Sequence, residues 1–124
     1  MRLRGAAPAP AMSGTALLTR IEAVNFNWGT GALASGLPAD NFSVRWTGTV
    51  TVPITGTYRF RTVSDDGVRL WVNGTQRINN WTDHSPTTNT SSGFSMTAGQ
   101  RVSIRLEYYE KGGGSEIRLQ WLVP

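Results

Sequence analysis

The sequence contains no cysteine, a single histidine and few charged residues, 16% of 124. Without cysteine there is no disulfide framework and no thiolate metal site, so cysteine usage favours no redox compartment. No apolar run approaches the roughly 18 residues that cross a bilayer as a helix, and no 3.6-residue apolar period is sustained over a helix-length window. Arg2 and Arg4 precede alanines and prolines that leave no apolar core for a signal peptide. Nucleic acid is not expected as a partner: the net charge of +4 comes mostly from arginines, which are spread along the chain at alternate positions such as Arg59 and Arg61. A nucleic-acid footprint would cluster the cations beside stacking aromatics; alternate arginines instead describe the outward side of strands.

What the chain does have is fourteen glycines, many Ser and Thr, and five tryptophans among 10% aromatics, a composition for strands and turns. Phe42, Val44 and Trp46 alternate with polar residues up to Pro53; Tyr58, Phe60 and Thr62 do so with Arg59, Arg61 and Val63; Val68, Leu70 and Val72 follow. Asn73-Gly74 is a hairpin turn, because Asn and Gly both accept the positive φ of a type I′ turn. Its second arm, Gln76 to Ile78, leads into a polar loop over residues 79–86 in which Trp81 is an anchor. Gly93 to Met96 is a short strand, RVSIRLEYY (101–109) an amphipathic one, and Ile117, Leu119, Trp121 and Val123 the inward side of the last. Residues 13–30 read as strand then loop, and residues 1–12 as a tail or a remodelled first strand. Short strands at roughly 8–12-residue spacing indicate an antiparallel β-sandwich or barrel, as one domain over residues 13–124.

Few constellations carry chemistry. A Ser-His-Asp triad would need His84, yet there is no Gly-x-Ser-x-Gly elbow, and the adjacent Asp83 is poorly placed to orient the imidazole. Glycoside hydrolysis needs carboxylates about 5–9.5 Å apart across a cleft. Asp65 and Asp66 are too close, and pairing either with Glu107, Glu110 or Glu116 leaves little room for a cleft in so small a sandwich. Gly112-Gly113-Gly114 lacks the Lys-Ser/Thr ending of a phosphate-binding loop. Asp65-Asp66-Gly67 allows two readings. It is a turn, since Asp and Gly dominate turns, or a metal site, since a cation relieves the repulsion of adjacent carboxylates and hard oxygen donors suit Ca²⁺.

The segment GTYRFRTVSDDGVRLWVNG (56–74), followed by Asn80-Trp81 and by LEYYE (106–110) with its glycine loop, resembles the protective-antigen (PA-14) domain family in its lectin-like branch. The similarity extends over about residues 13–124 and includes NFNW (25–28) and DNFSVRW (40–46). It implies an all-β antiparallel sandwich with long ligand-binding loops, non-catalytic, in a larger multidomain protein that is secreted or at the cell surface. It further implies that Asp65 and Asp66, joined by a cis peptide, hold Ca²⁺ together with Glu110 and the carbonyls of Gly112 and Gly114. The ion's remaining positions would take vicinal hydroxyls of a terminal sugar or polysaccharide, and Lys111, Gly113 and Ser115 would shape the rim. Glu110 stands where family members often carry Asn, which adds negative charge. A second expectation is a structural or protein-interaction domain that binds no sugar.

Overall fold

A computed structural model describes the backbone of residues 2–7, 19–21, 25–29, 42–111 and 114–124, and the side chains of residues 42–111 and 114–124. The strands are β1 (Arg2–Ala7), β2 (Thr19–Ile21), β3 (Asn25–Gly29), β4 (Phe42–Thr51), β5 (Gly56–Asp65), β6 (Val68–Val72), β7 (Thr75–Asn80), β8 (Thr87–Thr90), β9 (Phe94–Met96), β10 (Arg101–Glu110) and β11 (Ser115–Leu122). One sheet runs β2-β1-β4-β10-β6-β7 and the other β3-β11-β5-β8, with β9 also paired to β5. All pairings are antiparallel. The fold is the all-β sandwich expected, and among the described residues no helix is long and apolar enough to cross a membrane.

Strand alternation builds the core. Val102, Ile104, Leu106 and Tyr108 of β10 face inward, flanked by Trp46 and Val44 of β4 and by Leu70 and Val68 of β6. Tyr58 and Phe60 of β5 and Ile117 of β11 close over them from the second sheet. Each such side chain contributes about 1.5–3 kcal/mol on burial. Central β10 pairs with β4 along its whole length, from Arg101 to Glu110, and with β6 from Ile104 to Tyr108. The β6–β7 turn is the predicted Asn-Gly hairpin, with φ of 52° at Asn73 and 83° at Gly74.

Two elements lie where apolar alternation gives no guide. Residues 2–7, read as tail or remodelled strand, are a strand with Leu3 opposite Trp46 and Arg4 opposite Arg45; residues 8–18 lie outside the described ones. Thr87–Thr90, with no apolar alternation to betray it, is an edge strand on β5. An edge strand can be polar because its ladder hydrogen bonds, not its side chains, hold it.

Three arginines dispersed in sequence, Arg45, Arg69 and Arg105, meet on the outer side of the six-stranded sheet. Register places Arg45, Glu107 and Arg69 in one row and Thr47, Arg105 and Trp71 in the next. Glu107 is 1% exposed. Arg45 reaches its Oε2 at 2.7 Å and Arg69 its Oε1 at 2.6 Å. Burial alone would raise the Glu107 carboxyl, but the hydrogen bonds and charges of Arg69 and Arg45 outweigh it and hold it below its usual range.

Candidate metal centre

β5 delivers Asp65 at its end, and Asp66-Gly67 carries the chain across to β6 in the other sheet. This crossing is pinned to β10: the Asp66 amide donates to the Tyr109 carbonyl at 3.1 Å, and the Tyr109 amide to the Gly67 carbonyl at 3.0 Å. Gly67 is required for space rather than for turn geometry. A Cβ there would lie 2.0 Å from Cε2 of Tyr109, and its φ is not positive. The peptide between Asp65 and Asp66 is cis, as the resemblance implied.

Asp66 is 6% exposed, and both its oxygens accept backbone hydrogen bonds. Oδ1 takes the His84 amide at 3.1 Å and Oδ2 the Lys111 amide at 2.8 Å. One carboxylate thereby ties together the loop after β7 and the loop after β10. The Ser64 hydroxyl donates to the Asp66 carbonyl at 3.0 Å. Tyr108 donates to the Asp65 carbonyl in a short hydrogen bond and lies 3.5 Å from Oε2 of fully buried Glu110.

Carboxylate oxygens of Asp65, Asp66 and Glu110 all lie within 4.8 Å of one another. Two oxygens each about 2.4 Å from one ion can be at most about 5 Å apart, so the three fit a single Ca²⁺ shell. An all-oxygen, three-carboxylate donor set is hard and suits calcium over softer metals. The electrostatics agree. Burial, then the charge of and hydrogen bond with Asp66, push Asp65 up to about 6; Glu116 adds to the rise and His84 opposes it. Burial and the charges of Glu110, Asp65 and Asp66 push Tyr108 far above its ordinary value. These are the signs of negative charge concentrated in a low-dielectric place, which a divalent cation would relieve.

The other predicted residues fall as follows. Lys111 is exposed, with its amide on Asp66. Gly112 and Gly113 lie outside the described residues. Gly114 is half-buried, and Ser115 is buried where it opens β11 opposite Gly29. Sequence reasoning missed the loop between β7 and β8 as a wall of this site. Tyr109 donates to Asp83 at 2.6 Å, and Trp81 meets the Tyr109 ring edge-on at 4.8 Å. The group that then fixes Asp66 is a backbone amide, which carries no residue signature. Asp83 and His84 do not serve each other, since the His84 Nδ1–H donates to the Ser85 carbonyl at 2.7 Å.

Carboxylates from the β5–β6 crossing and from the end of β10, drawn together within 4.8 Å, define an all-β sandwich domain with a candidate metal centre. Residues 13–124 match the PA14 domain, and the chain belongs to that family. It is 39% identical over 98 residues, 79% of its length, to Anti-sigma-I factor RsgI3 of Acetivibrio thermocellus, of which it spans 15%. Among solved structures it superposes on an anti-sigma factor domain-containing protein from Clostridium clariflavum with a TM-score of 0.90 and 34% identity, covering 99% of this chain and 42% of that one. A PA14 sugar-binding domain from an RTX adhesin shares the fold, with a TM-score of 0.71 at 23% identity over 88% of this chain and 72% of that one.

Proposed function

We propose that this PA14 domain is a calcium-dependent carbohydrate-binding module of a larger secreted or cell-surface protein, and not an enzyme. Asp65, Asp66 and Glu110 bind Ca²⁺ with the carbonyls of Gly112 and Gly114. When bound, the ion supplies open coordination positions for two adjacent hydroxyls of a terminal sugar or polysaccharide. Asp65 and Asp66 would also accept hydrogen bonds from those hydroxyls, with Lys111, Gly113 and Ser115 shaping the rim. The observation that carries this reading is the cluster of three carboxylates within 4.8 Å, drawn from two loops some 45 residues apart in sequence. The Asp66 carboxylate, immobilised by two amides before any ligand arrives, supports it further. Preorganisation of this kind lowers the entropy lost on binding.

Calorimetric titration with Ca²⁺, then with a panel of monosaccharides and polysaccharides in Ca²⁺, tests it. Binding of both is expected, with calcium uptake abolished by Asp65→Ala. Absence of calcium binding by the unaltered domain, or full binding by that variant, would refute the reading. Kinship to proteins named as anti-sigma factors favours one alternative, in which fold and ion serve a structural or protein-interaction role in a longer chain. A blank glycan array alongside a calcium-dependent rise in Tm would select it.

A further inference from the structure

On the outer face of the six-stranded sheet a cleft of about 370 Å³ is lined by Thr47, Trp71, Gly74, Ser103 and Arg105, among others. This size is at the lower end of small-molecule sites, about 300–1,000 Å³. It is separate from the carboxylate cluster: Ser103 and Glu110 are seven residues apart on β10, roughly 24 Å at 3.4 Å per residue.

Its chemistry is cationic. Arg45 and Arg69 occupy the two oxygens of Glu107, whereas Arg105 stands 3.9 Å off the same carboxylate and keeps 47% of its side chain exposed. Three guanidiniums facing one carboxylate leave two positive charges in excess. The Arg105 guanidinium carbon lies 4.1 Å from the centre of the Trp71 ring, and Arg69 lies 5.6 Å from it and 3.8 Å from that of Trp81. Stacking on the indole holds the planar fork of Arg105 in place without consuming its N–H donors. Thr47 and Ser103, both hydroxyl-bearing residues, line the same cleft. Along the neighbouring strand, Arg2 occupies the register position opposite Thr47 and Arg4 that opposite Arg45.

A held guanidinium fork with flanking hydroxyls recognises an anionic, hydroxyl-bearing group. Glu107 already shows that this array accepts a carboxylate. Arg105 lies against the Trp71 ring, so that indole face is taken by a cation and not left open to the stacked bases or neutral sugar rings that use such a face. We infer that the Arg105–Trp71 cleft is a second saccharide site, for a negatively charged sugar unit whose carboxylate or sulfate pairs with Arg105. The inference rests on the carbohydrate-binding reading but not on calcium.

The test uses the whole domain in EDTA and low salt, titrated with polygalacturonate (carboxylate), dextran sulfate (sulfate ester), neutral dextran and poly-glutamate. Binding of one or both anionic glycans, without binding of dextran, is expected; which of the two binds identifies the anion. Arg105→Gln and Trp71→Ala should each weaken it about tenfold, and R105Q should leave the calcium-dependent Tm rise of the unaltered domain intact. Unchanged affinity in R105Q, no binding of either glycan, or equal binding of poly-glutamate would overturn the inference. The calcium reading fails separately, through loss of the Tm rise and of neutral-sugar binding in Ca²⁺.

Discussion

Replacing Gly67 with alanine probes how the carboxylate site is built. The added methyl would sit 2.0, 2.6 and 2.9 Å from three carbons of the Tyr109 ring. Comfortable carbon contacts begin near 3.5 Å, so the ring must retreat by about 1.5 Å. It has little freedom to do so: Tyr109 is 2% exposed, its hydroxyl is bound to Asp83 at 2.6 Å, and Trp81 abuts its edge. Overpacking costs about 1–3 kcal/mol. Losing a hydrogen bond to a charged group adds about 1.5–3 kcal/mol if the ring swings away. Reduced freedom of the unfolded chain offsets about 0.4–1 kcal/mol. A net loss of about 3 kcal/mol follows, which for a domain of this size lowers Tm by roughly 10 °C. Moving Tyr109 also shifts the loop whose His84 amide holds Asp66, so calcium affinity should fall with it. Urea denaturation followed by tryptophan fluorescence, together with calcium titration, reads both effects. In a Tyr109→Leu background the same substitution should cost much less, giving a coupling energy of about 1 kcal/mol or more. A Gly67→Ala variant within about 0.5 kcal/mol of the unaltered domain, with normal calcium uptake, would refute this account of the glycine.

The remaining expectations concern pH and single side chains. Asp65, raised to about 6 from 3.8, favours the folded state when protonated, so in EDTA stability should decline as pH rises from about 4 through 6. Calcium needs the ionised carboxylates, so its affinity should drop as pH falls through about 6; a calcium-dependent Tm rise undiminished at pH 4.5 would contradict this. Glu107, held below its usual range, contributes stability that is lost only at lower pH, as it protonates. Glu107→Gln should cost about 1–3 kcal/mol in urea denaturation, discounted from the buried-pair value because both arginines are partly exposed. Gly74→Ala places a side chain at φ 83° and should cost about 1 kcal/mol, with calcium binding unchanged.

The sequence by itself determined the strands whose two sides differ in polarity. Period-two alternation in residues 42–47, 58–63, 68–72 and 102–108 is a local statement about burial, and the same residues face inward in the sandwich. The Asn73-Gly74 turn was equally legible, because its φ values depend only on the two residues that adopt them. The family resemblance drew attention to Asp65, Asp66 and Glu110 together. Only the tertiary structure decided what joins them. Gly67 reads as a turn glycine, yet its need comes from Tyr109, a residue distant in sequence. Glu107 reads as an outward strand residue, yet it is buried because β4 and β6 bring arginines to it from both sides. The amides of His84 and Lys111 that hold Asp66 belong to the backbone and are identical in every non-proline residue. Periodicity reports which side of a strand is wet; which strands become neighbours, and hence which charges and amides meet, is settled by long-range pairing alone.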